Sequence, residues 1–216
     1  MTRVLAILAF ILVWTPTSAG ADDAPGRFDY YVLALSWSPT HCATEGRGRQ
    51  DLQCSGARPF AFVLHGLWPQ FEKGWPERCA RDNWVPEDVI RSMLDIMPAR
   101  GLVIHQYRTH GTCSGLDPGA YFDLARRAFE SVRIPARYVA PTAPITVSPQ
   151  QIESDFIKTN PEIGEDAIAI ACGGNRLREV RICLTRTLRP RACGANTEQR
   201  RLCALDAIVM PPVRAH

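Results

Sequence analysis

Three of the five histidines stand in two short stretches, 62–70 and 105–115, whose residue types suit proton transfer. The first reads Phe62-Val63-Leu64-His65-Gly66-Leu67-Trp68-Pro69-Gln70. Its apolar run predicts a strand that ends at His65, with Gly66 and Pro69 turning the chain. A histidine at a strand end beside a large aromatic is well placed for catalysis or binding. A histidine that only caps a strand and hydrogen-bonds locally would look the same. The second stretch holds His105-Gln106-Tyr107-Arg108-Thr109-His110-Gly111-Thr112-Cys113. On a helix, His105 and Thr109 lie about 40° apart, as do Gln106 and His110, and the four span roughly 140°. They can therefore line one side of a pocket. Tyr107 points away, Arg108 sits on the flank nearer His105, and Gly111 ends the helix.

Histidine is the side chain whose ordinary pKa lies nearest neutrality, so a pair facing one pocket suggests general acid–base chemistry. Cleavage of an RNA phosphodiester needs such a pair. A base removes the ribose 2′-hydroxyl proton and an acid protonates the leaving 5′-oxygen. A third cationic donor can stabilise charge on the phosphoryl oxygens. RNA carries its own nucleophile, so no cofactor, metal or nucleophilic serine or cysteine is required, and DNA should resist. The metal reading is poor: a His-Glu-x-x-His pair is four apart with a carboxylate between, whereas His105 and His110 are five apart with none.

Other segments must position these residues. The runs at 30–36 and 59–64 read as buried strands, and the second feeds into His65. Residues 86–97 read as a helix with Pro86 at its first position and Glu87 and Asp88 in its first turn, ending before Gly101. A second helix is expected over 121–132, with Leu124, Ala125, Phe129 and Val132 inward. A third starts from the capping box Ser148-Pro149-Gln150-Gln151 and ends before Pro161. The period then changes to two. Residues 167–172 form a short apolar strand. In 177–184, Val180, Ile182 and Leu184 alternate with Glu179, Arg181 and Cys183, as in a half-exposed strand. A last strand is expected over 203–210. Strands and helices mix without strict alternation, so the fold class is α+β: one domain with a mainly antiparallel sheet flanked by helices.

The N-terminus reads as a secretory signal peptide over 1–19, with Arg3, an apolar run over 4–14, and cleavage after Ala19 or Ala21. The run is shorter than the roughly 20 apolar residues of a membrane span. A buried N-terminal helix is the alternative, disfavoured by Asp22 and Asp23. Residues 20–216 then form the folded domain, located in a periplasm or outside the cell. The formal charge of +3 does not by itself announce a nucleic-acid binder. Only Lys73 and Lys158 are lysines, and arginine matches phosphate with a planar fork, although a GC-rich genome also supplies arginine. The eight cysteines all follow the leader. An even count in an exported chain implies four disulfides. Zinc is the competing use, but no pair has ribbon spacing.

Leu64-His65-Gly66-Leu67-Trp68-Pro69 and the 105–113 stretch resemble the two active-site segments of the ribonuclease T2 family. Phe28-Asp29-Tyr30-Tyr31 through Ser36-Trp37-Ser38-Pro39, and Glu179-Val180-Arg181-Ile182-Cys183-Leu184, are similar to its flanking strands, in its bacterial branch. The resemblance implies an RNA-cleaving enzyme that forms a 2′,3′-cyclic phosphate and then a 3′-phosphate. It implies His110 as base, His65 as acid and His105 as phosphate ligand. Trp68 matches a base-contacting residue, and a core tryptophan bracing the turn is its plainer reading. Trp75 is a second stacking candidate. Aromatic stacking tolerates any base, so broad specificity is expected. The resemblance also implies disulfides Cys42–Cys54, Cys79–Cys113, Cys172–Cys203 and Cys183–Cys193. Nothing argues against a monomer without an obligatory protein partner.

The chain departs from the family's H-E-W-x-K-H-G-T-C pattern. Gln106 stands for glutamate, Tyr107 for tryptophan and Thr109 for lysine. Gln106 hydrogen-bonds but carries no charge. Thr109 cannot neutralise the pentacoordinate phosphoryl group, and losing one such donor costs on the order of 10²–10³ in rate. Arg108 leaves the helix about 100° away and cannot take the same place. The expectation is a slowed enzyme. The alternatives are an RNA-binding protein on the same scaffold with catalysis lost, and a disulfide-rich structural protein, which leaves the histidine geometry unexplained.

Overall fold

A computed structural model describes residues 23–44, 52–55 and 58–213. The leader over 1–19 and its cleavage points at Ala19 or Ala21 lie outside the described residues. Among the described residues, six strands form one sheet: β1 (Tyr30–Trp37), β2 (Phe62–Gln70), β3 (Ile145–Val147), β4 (Ile168–Gly173), β5 (Arg176–Leu184) and β6 (Ile208–Met210). Their order is β2-β1-β5-β6-β3, with β4 also paired to β5. All pairings are antiparallel except the single β5–β6 contact at Arg176 and Val209. The helices include α1 (Ser38–Thr44), α2 (Leu52–Ser55), α3 (Glu87–Met93), α4 (Arg100–Thr109), α5 (Pro118–Glu130), α6 (Pro149–Thr159) and α7 (Gln199–Leu202). The expected α+β class is observed.

Side chains alternate across a strand, which gives the sheet two different faces. Tyr31, Leu33, Leu35 and Trp37 of β1 join Val180 and Ile182 of β5 in the main core, beneath Tyr121, Phe122, Ile152 and Phe156 of α5 and α6. Tyr30 and Val32 of β1 and Cys183 of β5 form a second small cluster on the opposite face, against Trp68 and Cys193. Glu179 and Arg181 share that face, since they pair with Ser36 and Ala34 of β1. The alternation expected for 177–184 is therefore present. The face expected to be exposed is covered instead, and Glu179 is only 3% exposed.

Several boundaries differ from expectation for definite reasons. The strand does not end at His65. It continues to Gln70, because β2 is an edge strand where Pro69 removes no needed donor. Ala34 pairs with Gly66 and Leu35 with Leu64, so His65 is the extra residue of a β-bulge. The helix expected over 86–97 stops at Met93, where the carbonyl of Ile96 turns away to accept from Leu64 N–H at 2.8 Å. Gly101 lies inside α4 rather than after its predecessor. The helix expected over 121–132 starts earlier, at Pro118, where the Asp117 carboxylate accepts from Ala120 N–H at 2.9 Å. Ser148 caps α6 as expected, accepting from Gln151 N–H. The last strand shortens to Ile208–Met210, the part that pairs with β3, while Cys203 is held by its disulfide.

All four expected disulfides are present: Cys42–Cys54, Cys79–Cys113, Cys172–Cys203 and Cys183–Cys193. Cys79–Cys113 ties the loop after β2 to the turn after α4. Cys183–Cys193 folds the 185–193 loop back over the second face, where Arg191 lies 4.6 Å above the Tyr30 ring.

Candidate active site

The bulge on β2 turns His65 toward β5. Bulges re-aim side chains in this way and are common beside active sites. His65 Nδ1 donates to Glu179 Oε1 at 2.7 Å. A carboxylate only accepts, so Nδ1 carries the proton and Nε2 is left for substrate. Arg181 grips the other Glu179 oxygen through Nε at 2.9 Å and a terminal nitrogen at 2.8 Å. Burial alone would raise the Glu179 pKa. The hydrogen bond and charge of His65, with Arg181 and Arg178, reverse this and hold the carboxyl at about 2.

Trp68 joins the two histidine segments. Its ring stands edge-on to His65 at 5.2 Å and tilted against His110 at 5.4 Å. Arg181 covers it at 5.1 Å. Its indole N–H donates to Gln106 Oε1 at 2.7 Å. This contact brings α4 so close to β2 that a Cβ at position 66 would come within 2.2 Å of Gln106 Oε1. Glycine at 66 therefore serves backbone approach, not a turn.

Of the four α4 residues that the helical spacing put on one side of a pocket, His105 alone lines the cleft beside His65. Tyr107 is buried in the core and Arg108 is exposed. His105 is exposed and lines a cleft of about 1000 Å³ together with His65 and Glu179. Gln106 and Thr109 are buried rather than lining that cleft. Among the described residues, the Thr109 hydroxyl has no hydrogen-bond partner, while its carbonyl accepts from Arg78 N–H at 2.9 Å. His110 follows the last helical residue as its C-cap, with its N–H still bonded to Gln106 O. Its Nδ1 is buried, without a hydrogen-bond partner among the described residues. Burial, reinforced by the charges of His105, His65 and Arg78, pushes the His110 pKa down from 6.5 to about 3. His110 is therefore neutral across the physiological range.

Trp75 lies apart from this cluster, on the turn after β2, and is 51% exposed. Its indole donates to Glu77. Asn196 shapes the turn: its amide nitrogen donates to the carbonyls of Phe71 and Gly74, and its oxygen accepts from Gly74 N–H. Glu179, Arg181 and Asn196 went unnoticed as site residues in the sequence. The alternation in 177–184 puts Glu179 and Arg181 on a solvent face, where charged side chains give no signal of a site. Asn196 lies 122 residues from Gly74 and gives none either. Among the described residues, no group of three or more histidine, cysteine or acidic side chains is placed to hold a metal ion.

The sequence model of the Ribonuclease T2 family matches residues 28–193. A ribonuclease of Aeromonas hydrophila is 40% identical over 126 residues, 58% of this chain and 56% of that protein. A probable ribonuclease of Haemophilus influenzae is 31% identical over 127 residues, 53% of this chain and 47% of that protein. The chain thus spans about half the length of these two relatives. Ribonuclease I of Escherichia coli is 28% identical over 229 residues, 84% of this chain and 85% of that protein. Among solved structures, an RNase-related protein from Calystegia sepium superposes with a TM-score of 0.70 at 20% identity, covering 87% of this chain and 99% of that one. RNase NT in complex with 5′-AMP gives 0.61 at 23% identity, covering 86% and 99%.

Proposed function

We propose, from the premise that this chain belongs to the ribonuclease T2 family, that it is an exported endoribonuclease acting on single-stranded RNA without a metal. The observation that carries this reading is the placing of His65 and His110 on two sides of Trp68, at 5.2 and 5.4 Å, in opposite electrostatic settings. His110 is neutral and fit to accept a proton. His65 has an ionised carboxylate as counter-ion for the imidazolium that an acid must be.

His110 takes the 2′-hydroxyl proton as the 2′-oxygen attacks phosphorus. His65 gives its Nε2 proton to the 5′-oxygen as the P–O5′ bond breaks. The product is a 2′,3′-cyclic phosphate. Water then opens it to a 3′-phosphate with the two histidines exchanging roles, as reversibility requires. His105 binds the non-bridging oxygens from the cleft. Trp75 stacks a base, and Trp68 backs the reacting nucleotide. Glu179 and Arg181 touch no substrate and act as positioning residues. The disulfides suit an oxidising compartment, and the apolar N-terminal run supplies the export signal. The protein works as a monomer.

A second reading keeps RNA binding and gives up turnover. It is favoured by the neutral, buried Gln106 and Thr109, which place no charge beside the phosphate. One experiment separates the two. Oxidised protein is incubated with single-stranded RNA in EDTA, beside His65→Ala and His110→Ala. Cyclic phosphate ends from wild type alone support the enzyme. Retention of RNA without cleavage supports the binder, and cleavage abolished by EDTA removes the metal-free mechanism. N-terminal sequencing of protein recovered outside the cytosol tests export.

A further inference from the structure

The cleft that holds His65 and His105 includes neither His110 nor Trp68 nor Trp75 among its lining residues, and it continues to Ser36, His41 and Arg178. It therefore opens on the acid's side of the reaction. On the proposed mechanism that is the side of the leaving nucleoside, so the cleft takes RNA 3′ of the broken bond. At about 1000 Å³ it matches the upper end of ligand pockets, which is more than one leaving nucleoside fills.

Arg178 enters this cleft through a backbone irregularity. Ala171 of β4 pairs with Glu179 and Cys172 pairs with Leu177, which leaves Arg178 as the extra residue of a bulge in β5. On the other edge, the β1 pairing stops at Ser36 and Glu179. The consecutive residues Arg178 and Glu179 can thus face the same cleft, which a regular strand forbids. His65 is the bulge residue of β2. Two separate bulges aim basic side chains into one space.

The local charge is unbalanced. Among the described residues, Glu179 is the one carboxylate that lines the cleft beside His65 and Arg178. Arg181 holds it at 2.8 Å, while Arg178 Nε stands 4.0 Å away with its side chain 49% exposed. Among the described residues, two guanidinium groups against one carboxylate leave a surplus of positive charge before any histidine is counted. Arg100, also in the cleft wall, is paired with Glu87. Arg178 Nε lies near the same Glu179 oxygen that orients His65, hence within a side chain's reach of the leaving oxygen. Guanidinium is the group that binds phosphate through a planar fork.

We propose that Arg178 binds the phosphate immediately 3′ of the leaving nucleoside, forming a downstream subsite that favours RNA chains over isolated dinucleosides. This inference rests on the ribonuclease reading. It is tested with three substrates: ApA, ApA carrying a 3′-terminal phosphate, and ApA carrying a 5′-terminal phosphate. Wild type should cleave the 3′-phosphorylated form with a kcat/KM about ten-fold above that of ApA, the scale of one charge-assisted contact. In Arg178→Gln the ratio should collapse toward one, whatever the variant does to ApA itself through Glu179, and Arg178→Lys should retain part of it. A wild-type ratio near one, a ratio unchanged in Arg178→Gln, or a preference for the 5′-phosphorylated form would each overturn the proposal. Failure of wild type to cleave any of the three would instead remove the ribonuclease reading.

Discussion

His65 and His110 flank the same indole and are prepared in opposite ways. His65 sits on a strand bulge and donates a hydrogen bond from Nδ1 to a carboxylate that an arginine grips from behind. His110 sits at a helix end, half-buried, and its buried Nδ1 has no hydrogen-bond partner among the described residues. One imidazole has a carboxylate partner on Nδ1, while burial and neighbouring positive charge disfavour the protonated form of the other. The same side chain is thereby divided into an acid and a base by its environment, the pattern expected where one site must run both kinds of proton transfer at one pH. The acid's support comes from the sheet, while the base's neutrality comes from burial.

Removing either member tests this division most severely. His65→Ala or His110→Ala should each lower kcat by about 10²–10⁴, the range of a positioned acid or base, measured with a dinucleoside monophosphate. Equal residual activity in both, and in the double variant, would show them acting as one unit. Glu179→Gln attacks only the acid's side. Glutamine can accept from or donate to Nδ1, so the tautomer is no longer fixed, and kcat should fall about a hundred-fold, the low end of a general acid's contribution. Breaking this buried pair should also cost about 3 kcal/mol of stability by urea unfolding. A loss of stability with kcat intact would leave Glu179 a structural residue.

The sequence showed the two halves of this site unequally. The α4 half was legible in part, because helical geometry puts His105, Gln106, Thr109 and His110 on one side of the helix but does not say which of them meets the cleft. Even there, helical angle did not separate Thr109, which is buried, from His105, which is exposed. The strand half was misread. Gly66 and Pro69 are turn formers in most contexts, and only an edge strand with a bulge at His65 and a helix pressed against Gly66 explains them otherwise. Glu179 was invisible for a related reason. Period-two alternation gives the faces of β5 correctly, but not whether the second face meets water or another segment. The disulfide pairing followed from resemblance, since eight cysteines fix no pairing by spacing.

The pH response sharpens the contrast further. With its pKa near 3, His110 stays an unprotonated base through mild acid, so kcat/KM should show no ten-fold loss per pH unit between pH 6.5 and 4.5 that tracks this group. Stability should respond instead. The unfolded chain protonates His110 near 6.5 and the folded chain near 3, so the unfolded state takes the extra proton and stability falls as pH drops through that window. Glu179 adds its own loss only below its ordinary value of 4.5, toward about 2. Between pH 6.5 and 4.5, wild type should therefore lose up to about 1 kcal/mol per pH unit more than His110→Gln. Parallel urea profiles for the two proteins would show that His110 titrates normally.

The smallest effect concerns the two charges absent from α4. Gln106 does not orient His65; it accepts from the Trp68 indole, and the carboxylate that orients His65 comes from β5. Gln106→Glu keeps that acceptor and adds charge at a buried position, near an acid that already has a counter-ion. Thr109→Lys must carry an ammonium group out of a buried site toward the phosphate. The double variant should be faster than wild type, but by about ten-fold or less, short of the 10²–10³ that one well-placed donor supplies. An increase of that full size would mean that wild type works without its transition-state cation. A double variant no faster than wild type would mean that Glu179 and Arg181 on the strand side already do what the missing pair would do.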